Sequence, residues 1–383
     1  MKNFYMLLLV IFTISANSQT VTTYLDSPDA IVDDALALDS QGNLYGSTFY
    51  GGVVYKITPD GNSTPFVTGL VYANGLAVDS EDNVFVAAYG EGSINKYDSD
   101  GNLLQVFPVQ GYPSGLIKAY KSDNMIYTEV VTHSVIELSV TDGSVRVLYE
   151  GAPLNTPVGL AYGPNGDLYI GNYLGRAIYR LTAKVGELEY VATVPAPNNY
   201  VPYLSFIAYA QGFLYGTVYG EHKIYKIDPR RVDDVEIYSG STFGYMDGNI
   251  TEATFAFPSG IISNSSGNTL YVSEYDGLGH VRKITNGNGL TSRVVENTVD
   301  IRTFPNPASD YINIMYNTNK KDSHFFNIKL YNISHGNLVL EQDQVNIYGK
   351  YALSLLGIKN GLYELVISNG EISESKTILV NKK

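Results

Sequence analysis

The stretch that decides the fold is MDGNITEATFAFPSGIISNSSGNTLYVSEYDGLGHVRKIT, residues 246–285. Two earlier stretches restate its second half loosely: QGNLYGSTFYGGVVYKIT at residues 41–58 and NGDLYIGNYLGRAIYRLT at residues 165–182. Each reads as a Gly-Asn or Gly-Asp turn, an aromatic-centred run, a second turn, and a run that sets a basic residue among apolar ones. Gly, Asn and Asp tolerate the left-handed backbone of tight hairpins, so the local reading is turn, strand, turn, strand.

Working outward, six segments follow this grammar. Their first strands read ALALD (35–39), GLAVD (75–79), GLIKA (115–119), GLAYG (159–163), FIAYA (206–210) and GIISN (260–264), with starts 40 to 54 residues apart. Tyr45, Phe85, Tyr127, Tyr169, Tyr215 and Tyr271 read as one repeated place in the second strand. Third strands read VYKI, INKY, IYRL, IYKI and VRKI, while VIEL puts Glu137 at the basic place. Asp-Gly turns at residues 60–61, 100–101 and 142–143 lead into a fourth strand. Four short antiparallel strands per repeat of this length make a propeller blade, which hides its faces only by stacking on neighbours. Residues 19–298 are therefore expected to form a six-bladed β-propeller in an all-β chain. A ring must also hide its seam. Residues 20–25 fit the fourth-strand pattern of the last blade, and LTSRVVEN (290–297) competes for that slot.

After a linker at residues 299–303 the grammar changes. FPNPASDYINIMY (304–316), FNIKLYNISHGNLVLE (326–341) and GLYELVISNGEISESKTILVNK (361–382) alternate as strands, predicting a small β-sandwich over residues 304–383. At the other end, Lys2 precedes an apolar stretch at residues 4–14, with small residues at 16–18. That stretch is shorter than the ~20 residues a membrane span needs, so residues 1–18 read as a signal peptide cleaved after Ser18.

Composition agrees with an exported β protein. The chain has 33 Tyr, no Trp and no Cys, which excludes thiol redox chemistry and thiolate metal sites. Residues 19–303 carry a net charge of −15 and residues 304–383 carry +1. A body that acidic repels phosphate backbones, so nucleic acid is not an expected partner. No second long apolar run follows the leader, and a monomer with no transmembrane segment is expected.

Three resemblances sharpen this. The Ala-x-Phe, Pro-x-Gly-Ile, Gly-Asn, Leu-Tyr-Val and Val-Arg-Lys-Ile of residues 246–285 resemble an NHL repeat, and looser versions cover residues 20–298. The Pro-Asn-Pro-Ala-x-Asp, Leu-Tyr-Asn-Ile and Gly-Leu-Tyr of residues 304–383 resemble the type IX secretion C-terminal sorting domain. That likeness implies a Bacteroidetes-type bacterium, recognition by the type IX machinery, and a secreted or surface-attached product. More weakly, the propeller is similar to gluconolactonase/regucalcin-type lactonases, whose Asn-Gly-Leu is matched by residues 74–76. It implies a divalent cation such as Ca²⁺, with Asp34 and Asn74 matching two of its ligands; Asp33, Asn172 and Glu274 are the further donors this sequence offers. Ser114, Val158, Ser205 and Ser259 stand at equivalent places without matching that ligand pattern.

Loops leading into first strands and leaving second strands converge at one end of a propeller channel, where ligands gather. Leaving second strands are Phe49, Tyr89, Tyr173, Tyr219 and Tyr275, with Val131 as the exception. Two long loops, residues 194–205 and 239–260, add Tyr200, Tyr203, Phe243, Tyr245 and Asp247. Rings beside amides and carboxylates suit a sugar or a peptide, while inter-blade packing explains the repeated ring equally well. The five histidines have no zinc-protease spacing, and no nucleophile elbow or phosphate loop occurs. DSDGN (98–102) lacks the later bidentate Glu of a calcium loop and reads as a hairpin turn. Two functions stand open: a non-enzymatic extracellular module for a carbohydrate, peptide or protein ligand, and a metal-dependent hydrolase or lyase.

Overall fold

The computed structural model describes residues 19–182, 187–195, 203–286, 300–317, 325–333, 337–347, 349–369 and 373–382. The leader expected at residues 1–18 and the competing strand at 290–297 lie outside them, as does Tyr200. Two compact units emerge, Met1–Gly289 and Leu290–Lys383.

In the first unit the described residues form propeller-like antiparallel sheets. The first sheet is Leu36–Leu38, Leu44–Thr48, Val53–Ile57 and Ser63–Val67. Ala73–Val78 opens the second, Pro113–Lys118 the third, Pro157–Tyr162 the fourth, Leu204–Ala210 the fifth and Pro258–Ser263 the last. Second strands such as Leu44–Thr48 and Val84–Ala88 are buried at every residue, as expected of strands covered on both faces. Fourth strands such as Leu103–Pro108 are mostly exposed.

The basic residue of the third strand now has a cause. Tyr45 pairs across strands with Lys56, Phe85 with Lys96 and Tyr271 with Lys283. The ammonium groups lie 5.5, 5.3 and 5.8 Å from those ring centres. The third sheet corrects one sequence reading. Ile126, not Tyr127, pairs with residue 137 and holds the repeated aromatic place. With no ring to cover, Glu137 instead binds Asn124 and Arg146.

First strands touch in succession, and Pro258–Ser263 touches Leu36–Leu38. The glycine that opens GLAVD, GLIKA and GIISN is a seam residue. A Cβ on Gly75 would sit 2.0 Å from Ser114 O, one on Gly115 1.8 Å from Val158 O, and one on Gly260 2.1 Å from Asp34 O. Strand-two hydroxyls add a bond across these seams: Ser47 Oγ donates to Asn74 O (2.9 Å), Thr217 Oγ1 to Ser259 O, and Ser273 Oγ to Asp34 O (2.6 Å). The last-to-first junction therefore uses both contacts, each of which recurs at other seams.

The fourth strand of the last sheet is Gln19–Asp26, paired with His280–Asn286. Gly248–Asn249 pairs on its outer edge, and Asp247 accepts bonds from Thr23 N and Oγ1. The N-terminal strand thus occupies the slot for which two stretches competed, and its own edge is covered.

In the second unit, Asp300–Phe304, Tyr311–Asn317 and Gly349–Ser354 form one antiparallel sheet. Leu338–Asn346, Phe325–Asn332, Gly361–Ser368 and Ser373–Val380 form another. Ile312, Ile314 and Leu353 from the first share a core with Phe326, Leu365 and Ile378 from the second. Asn306 ties down the last strand, accepting from Leu379 N and donating to Thr377 O.

Candidate functional site

First and second strands are antiparallel neighbours, so the chain enters the one and leaves the other at the same end of each sheet. Counting from Glu129, the third sheet's outgoing residue is Val130 rather than Val131. The outgoing aromatics stack on rings leading into the next sheet. Phe49 lies on Tyr72 at 5.2 Å, Tyr89 on Tyr112 at 5.0 Å, Tyr173 on Tyr203 at 4.1 Å and Tyr219 on Phe257 at 4.8 Å. Tyr72 and Phe257 hold positive φ, a conformation that costs a bulky residue energy and is kept here by the stack. Four of these sheets clip their own loops as well, as when Tyr89 N donates to Tyr72 O and Tyr275 N to Phe257 O.

Sequence reasoning found the outgoing rings and missed their partners Tyr72, Tyr112 and Phe257, together with Tyr50. The available signal is an aromatic three residues ahead of the first-strand glycines Gly75, Gly115 and Gly260; Gly159 has Thr156 there. Tyr50, at 71% exposure, edges onto Phe49 and Tyr72. Tyr89, Tyr173, Tyr203, Tyr219 and Tyr275 are only partly buried, so stacking between sheets leaves ring surface open to solvent.

Carboxylates lie among these rings. Burial pushes Asp34 up to about 8, with Asp33 adding to the rise and Ser259 opposing it. Burial lifts Asp33 to about 6, against a bond from Phe49 N. Both acids, with Tyr50 and Tyr219, also act on Tyr275, whose phenol is raised first by burial. Asn74 is buried, and its Oδ1 has no hydrogen-bond partner. Asn172 and Glu274 behave differently from the ligands the lactonase likeness implies. Asn172 Oδ1 accepts from Asn155 N and its Nδ2 donates to Pro153 O. Glu274 Oε1 accepts from Ala256 N. Glu129, at the same strand end, accepts from Tyr112 N, Val131 N and Thr132 N. These three side chains hold loops in place.

The loop at residues 239–260 splits its duties. Phe243 and Tyr245 join the aromatic set, Phe243 against Phe257 and His222, and Tyr245 over His280 at 4.7 Å. Asp247 leaves it: its carboxylate binds Arg282 at 2.6 Å as well as Thr23. It anchors the edge strand.

Inside the ring is a cavity of about 340 Å³ lined by first strands of every sheet, including Leu38, Leu76, Tyr162, Tyr209 and Ile261. Its lining mixes aliphatic side chains with polar ones: Tyr162, Tyr209, Ser263 and Lys118, whose Nζ donates to Ser122 O.

Comparison with known proteins fits both units. Residues 302–381 match the secretion system C-terminal sorting domain. The chain is exported by type IX secretion to the cell surface or the extracellular space. No curated protein matches the sequence. Among solved structures, a gluconolactonase from Xanthomonas campestris is similar at 19% identity and TM-score 0.55, covering 72% of this chain and 93% of that one. An auxiliary nutrient binding protein from Bacteroides thetaiotaomicron gives 14%, TM-score 0.59 and coverage of 70% and 77%. A virginiamycin B lyase from Staphylococcus aureus gives 16%, TM-score 0.53 and coverage of 70% and 99%. At such identities the likeness concerns the fold alone. No helix among the described residues is long and apolar enough to cross a membrane.

Proposed function

We propose that this protein is an extracellular binding module. Residues 19–298 act as a six-bladed NHL-like propeller closed by the N-terminal strand, a signal peptide at 1–18 starts export, and a sandwich at 304–383 addresses the chain to the type IX machinery. The ligand, a carbohydrate, peptide or protein, lies on the aromatic end of the ring, and the module works as a monomer. The observation that carries this reading is the set of cross-sheet ring pairs, half-open to solvent beside Asp33 and Asp34. Such a surface offers flat apolar faces with polar atoms at their edges, which suits sugar rings and peptide backbones. The nutrient-binding neighbours share the fold and are compatible with it.

The test is a glycan and peptide array probed with the full chain. Tyr203→Ala and Tyr245→Ala are each expected to weaken the best hit by about tenfold, the worth of one lost ring contact. Tyr245 is partly exposed, so its loss should leave the melting temperature unchanged. Full affinity in both variants removes this face from consideration.

One observation favours a second reading, a metal-dependent hydrolase or lyase of gluconolactonase type. Asp34 and Asn74 occupy equivalent places on neighbouring first strands, and the buried Asn74 Oδ1 is unpartnered. A hard cation such as Ca²⁺ would be served by those oxygens. Asn172 and Glu274 Oε1 are spent on loops, which leaves this set short of donors. Lactone hydrolysis that needs Ca²⁺ and vanishes in Asp34→Ala would establish it; a lack of turnover with Ca²⁺, Mn²⁺ and Zn²⁺ would end it.

A further inference from the structure

Beside the channel mouth, the last sheet gathers a second set of polar groups. Glu274 ends its second strand, Asp276 follows, and His280 opens its third strand. Gly277 and Gly279, both at positive φ, let the connecting loop curl so that His280 returns over Asp276. A Cβ on Gly279 would lie 2.5 Å from Ser27 O, so this loop also packs on the residues following the N-terminal strand. One ligand atom from each of Glu274, Asp276 and His280 lies within 4.8 Å of the other two.

Three observations give this cluster a direction. His280 Nδ1 is 2.5 Å from Asp276 Oδ2, and Nε2 is 3.3 Å from Asp26 Oδ1 on the N-terminal strand. With the neutral imidazole donating its Nδ1–H to Asp276, the Nε2 lone pair faces a carboxylate oxygen of Asp26. A separation of about 3.3 Å is what ligand bonds of about 2.0 and 2.1 Å make around a tetrahedral centre. Glu274 is fully buried, and while Oε1 is bonded, Oε2 has no partner. Finally, Arg282 pairs with Asp247 and Glu274 while Asp26 and Asp276 have His280, so four carboxylates share one guanidinium and one imidazole. Negative charge is in excess there.

We propose that Asp26, Glu274 and His280 hold one divalent cation of the Zn²⁺ or Mn²⁺ class at the seam between the N-terminal strand and the last sheet, with Asp276 behind the imidazole. The imidazole selects such a metal over Mg²⁺ or Ca²⁺. Asp276 fixes the ring through Nδ1, as carboxylates do behind metal-binding histidines. Tyr245 covers the imidazole, and the exposed Asp26 side gives the ion a way in. The ion's work is mechanical: it pins the ring-closing strand once the chain is outside the cell.

The experiment is calorimetric titration of the full chain, stripped with EDTA, using ZnCl₂ and MnCl₂. About one site per chain is expected, with a rise in melting temperature on loading. His280→Ala is expected to weaken uptake at least about tenfold and to abolish that rise. If His280→Ala does not fold, Asp26→Ala, whose side chain is exposed, reads the same contact. Failure of the wild-type chain to take up either metal overturns the proposal. So does uptake that survives His280→Ala or Asp26→Ala, and uptake lost only in Asp34→Ala belongs to the channel mouth and overturns it too.

Discussion

A single carboxylate, Glu129, shows how a side chain at the channel mouth serves shape. Burial would raise its pKa, but bonds from Thr132, Tyr112 and Val131 overcome that and hold it below the usual glutamate range. A lowered folded pKa gives stability that is present above the unfolded value of about 4.3 and is lost as pH falls through the folded value. Glu129→Gln should therefore lower stability at pH 7 by about 1–3 kcal/mol and flatten the acid limb of a melting-temperature profile. A parallel downward shift at every pH would contradict this. Gly115→Ala should cost about 1–3 kcal/mol in chemical denaturation, because its Cβ meets Val158 O. At this scale the sequence misled once. In MIYTE the aromatic lies beside the repeated place, and strand pairing decides which of Ile126 and Tyr127 counts. For Asn172 and for Oε1 of Glu274, only the crossing of loop amides shows that these atoms hold loops.

Strands were the most legible level. Turn residues and the alternation of apolar runs marked first, second and third strands, because hairpin backbones demand those residues. Lead-in loops were less legible, since they differ in length, and so Tyr72, Tyr112 and Phe257 aligned only once the seam glycines fixed the count. The N-terminal strand was ambiguous for a similar reason: a fourth strand is mostly exposed and carries little pattern. Removing residues 19–26 should lower the melting temperature and produce soluble aggregates in light scattering, because His280–Asn286 loses its partner. A monomer melting as before would show the strand to be dispensable.

As a whole molecule, the chain divides into a body and an address. A protein ending at residue 299 should keep the body's melting transition and its array hits while failing to leave the cell, measured by fractionation. Loss of the body's transition would join the two units energetically. The ring's latch has a consequence in time. Thr20 and Thr22 bond to Thr285 and Lys283, partners 265 and 261 residues away. Whatever emerges first from a ribosome or a membrane pore must wait for nearly the whole body before it can dock. Contacts so distant slow folding, so an export-ready chain has its delay written into its topology, and no half-delivered copy can shut prematurely.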